Sequence, residues 1–135
     1  MSHFSKITTE LTDLLLLRVV LTTLNINWND TRKELRGHGN ESYKVDMVIK
    51  QPTSTDIGFV LENGHIVLIA DENCWKQRWA LPLFLTRVNQ NYTIHGLGKD
   101  LESQGFSVKI NSQPDLGFVC LGATRWGNLT PQSKK

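Results

Sequence analysis

At 135 residues and 15.3 kDa, the chain is long enough for one domain with a real core and too short for two ordinary ones. Hydrophobic residues at 39% and charged residues at 21% describe a globular chain and exclude a disordered or fibrous one. Lys plus Arg number 15 against 13 Asp plus Glu, a formal excess of +2, and that near-balance argues against nucleic acid as partner, because phosphate binding rests on many uncompensated cations.

Thr9 to Leu24 reads as an amphipathic helix. Thr8 or Thr9 can cap it, Glu10 suits its positive end, and Leu14, Leu17, Leu21 and Leu24 recur at helical spacing, with Leu15 and Val20 widening the stripe. The Leu14–Leu17 run, followed by Arg18, is too short to cross about 30 Å of hydrocarbon. The residues before it lack the pattern of a signal peptide, so the chain reads as soluble and not membrane-spanning. Residues 29–43 are polar, with Gly37 and Gly39 around His38, and read as a flexible loop or wide turn. Val45, Met47 and Ile49 then alternate with Asp46 and Lys50, as in a strand with one wet face.

The sharpest local signal is Asn63-Gly64 between two apolar runs, Ile57 to Leu61 and Ile66 to Ala70. Asn-Gly supplies both positive-φ residues of a type I′ turn, which predicts a tight hairpin with Glu62 facing His65 and Phe59 facing Leu68. Ile57, Phe59, Leu61, Ile66 and Leu68 then share one face, and Val60, Val67 and Ile69 the other. Two apolar faces imply a central place in a sheet, or a second face covered by something else.

Trp75 and Trp79 stand four apart, as neighbours on a helical turn do. Pro82 suits a helix start, and Leu81, Phe84, Leu85, Val88 and Tyr92 mark a helix face that Ile94, Leu97 and Leu101 continue at a shifted angle. Gly96 and Gly98, each about 1 kcal/mol worse than Ala in a helix interior, predict a kink or break there; Gly105 suits the C-terminal cap. Phe106, Val108 and Ile110 form a strand, Pro114-Asp115 a turn, and Phe118–Thr124 the last strand. The domain runs over 1–126, and 127–135 are a flexible tail. The predicted fold is α+β: two main helices packed on one face of a mostly antiparallel sheet of about five strands, in the order α-β-β-β-α-β-β.

No catalytic constellation emerges. His3, His38, His65 and His95 lack metal-ligand spacing, no Gly-x-Ser-x-Gly is present, and Gly37-x-Gly39 lacks the rest of a phosphate loop. Asp71 and Glu72 suit helix capping. Cys74 and Cys120 read as reduced structural thiols. No catalytic residue, metal or cofactor is therefore expected. The four tryptophans are more telling, since Trp beside Arg is enriched at protein contacts. The expected partner-binding residues are Trp75, Arg78, Trp79, Arg125 and Trp126, together with the second sheet face at Val60, Val67 and Ile69. The Arg32, Lys33 and Arg36 group reads as a solvated basic loop. The alternative is a small ligand-binding domain or enzyme, with a pocket lined by Arg36, His38 and Asp71 between the sheet and the Arg36–Asn40 loop.

The opening Met1-Ser2-His3-Phe4-Ser5-Lys6-Ile7, with Arg36-Gly37, Asp56-Ile57-Gly58-Phe59, Leu68-Ile69-Ala70-Asp71 before Trp75, Gln90-Asn91-Tyr92, Gln104-Gly105-Phe106 and Arg125-Trp126, resembles the hypothetical chloroplast reading frame family numbered thirty-five, over about residues 1–126. That resemblance implies a plastid or cyanobacterial setting, in the stroma or cytoplasm and at the thylakoid through a partner, and it brings no activity or catalytic residues. Together these readings point to a non-catalytic accessory or assembly protein bound to a larger photosynthetic complex, with no nucleic acid.

Overall fold

The computed structural model describes residues 4–31, 33–36, 42–53, 55–113 and 118–125. Among these it forms an α+β fold from strands β1 (Ser5–Thr8), β2 (Glu34–Arg36), β3 (Ser42–Lys44), β4 (Met47–Ile49), β5 (Ile57–Glu62), β6 (His65–Ala70), β7 (Phe106–Gln113) and β8 (Phe118–Arg125), with helices α1 (Leu14–Thr23) and α2 (Leu81–Ser103). A short 3-10 turn spans Glu72–Cys74.

The Asn-Gly hairpin is the centre of the molecule. Asn63 and Gly64 have φ of 52° and 82°, and β5 and β6 pair in the predicted register, Glu62 with His65 and Phe59 with Leu68. The primed turn matches the right-handed twist of its strands, so a two-residue loop sets the pairing. Both strands are internal, because the antiparallel sheet runs β1-β6-β5-β4. Strand β1, which the periodicity of the N-terminus does not announce, pairs Ser5 with Ala70 and Thr8 with Val67.

One sheet face meets the helices. Ile57, Phe59, Ile66 and Leu68 pack with Leu17, Val20 and Leu21 of α1 and Leu81, Phe84 and Val88 of α2. Leu61 shares the parity of this face but lies beyond the core, 43% exposed. Helix α1 begins later than its Thr residues suggest, at Leu14. Asp13 caps it, its Oδ1 accepting from Leu15 N at 2.9 Å and Leu16 N at 3.3 Å. Its end is a two-bond C-cap: Asn25, at φ 60°, donates to the Thr22 carbonyl, and Ile26 donates to that of Leu21. Tyr92 Oη ties α2 to the start of α1 by accepting from Asp13 N at 3.0 Å.

The other face corrects the expectation of an open surface. Val67 and Ile69, 3% and 1% exposed, are buried with Val48 beneath Leu35 and Val45, and Val60, Tyr43 and Phe4 pack around them. The polar segment expected as a loop instead supplies the β2–β3 hairpin, in which Leu35 pairs with Tyr43. Residues 37–41 lie outside those described. The same cover explains why all three residues of β4 are buried rather than alternating wet and dry. Gly58 makes the cover possible: a Cβ there would stand 2.9 Å from Val45 Cγ1.

Helix α2 is unbroken across Gly96 and Gly98, against the predicted break. Its inward stripe runs without a shift through Leu81, Phe84, Val88, Asn91, His95 and Gly98, at spacings of three and four. Polar and small residues occupy its second half, so the apolar pattern fades although the geometry does not. Leu97, on the apparent continuation, points outward at 46% exposure. Strands β7 and β8 form a separate hairpin, Phe106 pairing with Arg125 and Gln113 with Phe118, and this hairpin packs on α2. A Cβ on Gly98 would lie 3.2 Å from Ile110 Cδ1 and 3.3 Å from Val108 Cγ1, so glycine here permits the close seating of β7.

Candidate functional site

Among the described residues, two of the concavities open at the seams between these layers. The first is an apolar groove of about 460 Å³ between α1, the second half of α2 and β7. Leu15 and Val19, four apart on α1, form one wall and are 66% and 48% exposed. Val108 and Ile110 form the opposite wall, and Gly98 lies between the two. His95, Lys99 and Glu102 of α2 supply the polar part of the lining. The His95 Nδ1 lies 2.9 Å from the Asn91 carbonyl. A carbonyl can only accept, so Nδ1 donates.

The second is a polar cleft of about 240 Å³ where the C-cap of α1, the end of β4 and the loop before α2 converge. Its lining holds Asn25 and Asn27 from the first element, Lys50 from the second, and Lys76, Gln77, Arg78 and Trp79 from the third, with Ile26, Ile49 and Phe84 as its apolar part. Gln51, 7% exposed, fixes the third wall. Its Oε1 accepts from Lys76 N at 2.8 Å and Gln77 Nε2 at 3.0 Å, while its Nε2 donates to the Thr55 and Cys74 carbonyls. Trp75 Nε1 donates to the Trp79 carbonyl at 2.8 Å.

The sequence-predicted site residues are dispersed. Val67 and Ile69 are interior and Val60 is half-buried with them, so these three do not form a free face of the chain. Trp75 and Trp79 are not on a helical turn. They follow the 3-10 turn, and Trp75 packs edge-on against Phe84 with ring centroids 5.1 Å apart. Arg78 and Trp79 do meet: the guanidinium lies 5.2 Å from the indole centroid, and both line the polar cleft. Arg125 lies over Phe106, at 5.1 Å, and Trp126 is outside the described residues.

For the alternative pocket, His38 lies outside the described residues, as does everything from 37 to 41, and β2 ends at Arg36. Asp71 is 2% exposed and caps the 3-10 turn, its Oδ1 accepting from Asn73 N at 3.0 Å, which is the capping role its position suggested. Neither thiol is fully buried: Cys74 is half-buried, its Sγ donating to Asp71 Oδ2 at 3.8 Å, and Cys120 is exposed.

Sequence reasoning missed the groove entirely. Its one local signal was the pair Leu15 and Val19, which lies off the Leu17–Leu21 stripe and gives α1 more apolar surface than a single core contact needs. The polar cleft was half seen, through Arg78 and Trp79. Lys50 and Lys76 join it only through the fold.

The layering defines a small α+β protein whose central sheet lies between a helical layer and a covering hairpin. The chain belongs to the family described as "Protein of unknown function (DUF1257)", which matches residues 20–121. It is similar to "Uncharacterized protein ycf35" of Pyropia yezoensis, at 36% identity over 126 residues, covering 93% of this chain and 98% of that one. The proteins of the same name from Guillardia theta and Cyanophora paradoxa are 34% and 32% identical at the same coverage. These relatives are plastid-encoded. The resemblance carried by the short motifs is thus sustained across most of the chain. No solved structure matches it. Among the described residues, no helix is long and apolar enough to cross a membrane.

Proposed function

We propose that the protein is a non-catalytic accessory protein of the plastid stroma or cyanobacterial cytoplasm. It binds a larger photosynthetic assembly, at the thylakoid through that partner, by seating an amphipathic helix of the partner in the groove between α1, α2 and β7. The carrying observation is the exposed pair Leu15 and Val19, 66% and 48% accessible, facing further apolar side chains across the groove. Apolar residues four apart form a ridge of the kind that packs against another helix, and a groove with an apolar floor is a recurrent seat for one. The lining charges are of both signs, Lys99 and Glu102, which suits a helix with acidic and basic residues flanking its apolar face. The plastid-encoded relatives support the setting.

The test places a photo-reactive residue at Val19 of the full chain, in thylakoid-containing extract, and maps the crosslinks by mass spectrometry. Crosslinks concentrated on one helical segment of a photosynthetic subunit, and abolished by Leu15→Asp, are the expected result. Circular dichroism checks that this exposed substitution leaves the fold intact. Crosslinks on a second copy of the chain, or spread evenly over unrelated proteins, overturn the proposal.

A further inference from the structure

From the polar cleft we infer that the protein has a binding site for a small soluble oxyanion, a phosphate- or carboxylate-bearing molecule, held between Lys50, Lys76 and Arg78. This inference is independent of the groove. Among the described residues, the lining of the cleft holds three cations and no Asp or Glu, whereas the whole chain has an excess of only +2. So much positive charge on one concave surface is a local concentration rather than a share of the average. A concavity lined by one sign of charge focuses the field and raises the local concentration of the opposite ion.

The backbone beneath these charges is already fixed. The Lys76 N–H and the Gln77 side-chain amide are held by the buried amide of Gln51, the Trp79 carbonyl by the indole N–H of Trp75, and the Asn25 N–H by the α1 C-cap. An anion therefore meets a formed backbone, with the Arg78 guanidinium already held over the Trp79 ring, and need order only the lysine side chains. The chemistry of the lining fits an oxyanion: ammonium and guanidinium groups donate charge-assisted hydrogen bonds, and the guanidinium fork matches a phosphate or carboxylate edge. The size sets the class of ligand. At about 240 Å³ the cleft falls below the roughly 300–1,000 Å³ of sites for drug-sized ligands, so it takes a compact anion rather than a dinucleotide.

Titration of the full chain with inorganic phosphate, and separately with citrate, followed by amide NMR at low ionic strength, tests the site. Saturable shifts confined to the side-chain amides of Asn25, Asn27 and Gln77 and to the Trp79 indole are expected. The double variant Lys50→Gln/Arg78→Gln should weaken binding by about tenfold or more, while Lys109→Gln, an exposed charge on β7, leaves it unchanged. Shifts scattered over the whole surface, an equal loss in Lys109→Gln, or binding only to vesicles containing phosphatidylglycerol would each overturn the inference. Leu15→Asp is expected to leave anion binding intact, so failure of the groove reading and failure of this one are distinguishable.

Discussion

Replacing Gly58 with alanine tests whether the β2–β3 hairpin is packed on the sheet as tightly as its geometry indicates. The new methyl would stand 2.9 Å from Val45 Cγ1 and 3.2 Å from both δ carbons of Leu35, where carbon atoms prefer about 3.5–4.0 Å. Val45 is stiff at χ1, and Leu35 is 1% exposed. The strain is relieved only by lifting the hairpin. Overpacking of this kind costs about 1–3 kcal/mol. Removing a glycine from a strand interior returns about 0.5–1 kcal/mol, leaving a net loss centred on about 1 kcal/mol and no larger than about 2.5 kcal/mol. At this chain length that lowers Tm by roughly 2–8 °C, and the urea midpoint should fall at constant m. Gly122→Ala is the matched control, because its Cβ would meet only the Lys109 carbonyl oxygen at 3.9 Å. It should be neutral or slightly stabilising. If Gly58→Ala proves as stable as the parent, the hairpin is not seated on the sheet and the account of the second face is wrong.

Three further substitutions probe the other supports. Leu35→Ala should cost about 2–5 kcal/mol and expose Val67 and Ile69, seen as binding of a hydrophobic dye below the unfolding transition. Asp13→Ala removes the acceptor for Leu15 N and Leu16 N and should cost about 0.5–2 kcal/mol in chemical denaturation. Gln51→Ala leaves Lys76 N without this acceptor and removes one donor from each of the Thr55 and Cys74 carbonyls, which then share only the Thr53 hydroxyl of the pair that held them. It should destabilise the chain by about 1–3 kcal/mol, with hydrogen exchange at Lys76 accelerating more than exchange in β5 or β6.

The parts of the fold legible in the sequence are those set by chemistry within a few residues. Asn63-Gly64 dictates its own turn, and with it the register of β5 on β6. Gly105, at φ 94°, ends α2 as its position suggested. What stayed hidden depends on distant partners. Strand β1 exists because β6 offers it an edge, sixty-odd residues away in the chain. The β2–β3 hairpin has too few apolar residues to announce itself, yet Leu35 and Val45 suffice to close the second face. Gly98 looks like a helix breaker until β7 is placed against it. For the same reason the cations of the polar cleft, drawn from the residue after β4 and from the loop before α2, could not be grouped by inspection of the chain.

Strands β5 and β6 carry the segments Ile57–Glu62 and His65–Ala70, whose β-branched and aromatic content makes them the part of the chain most prone to self-association into fibrils. The sheet order hides both from neighbouring molecules, and the borders presented instead are β1 and β4, four and three residues long, too short to template growth. The hazard is thus confined to the nascent chain, and there the two dangerous segments quench each other, because a two-residue turn lets a hairpin close within about 1–10 μs.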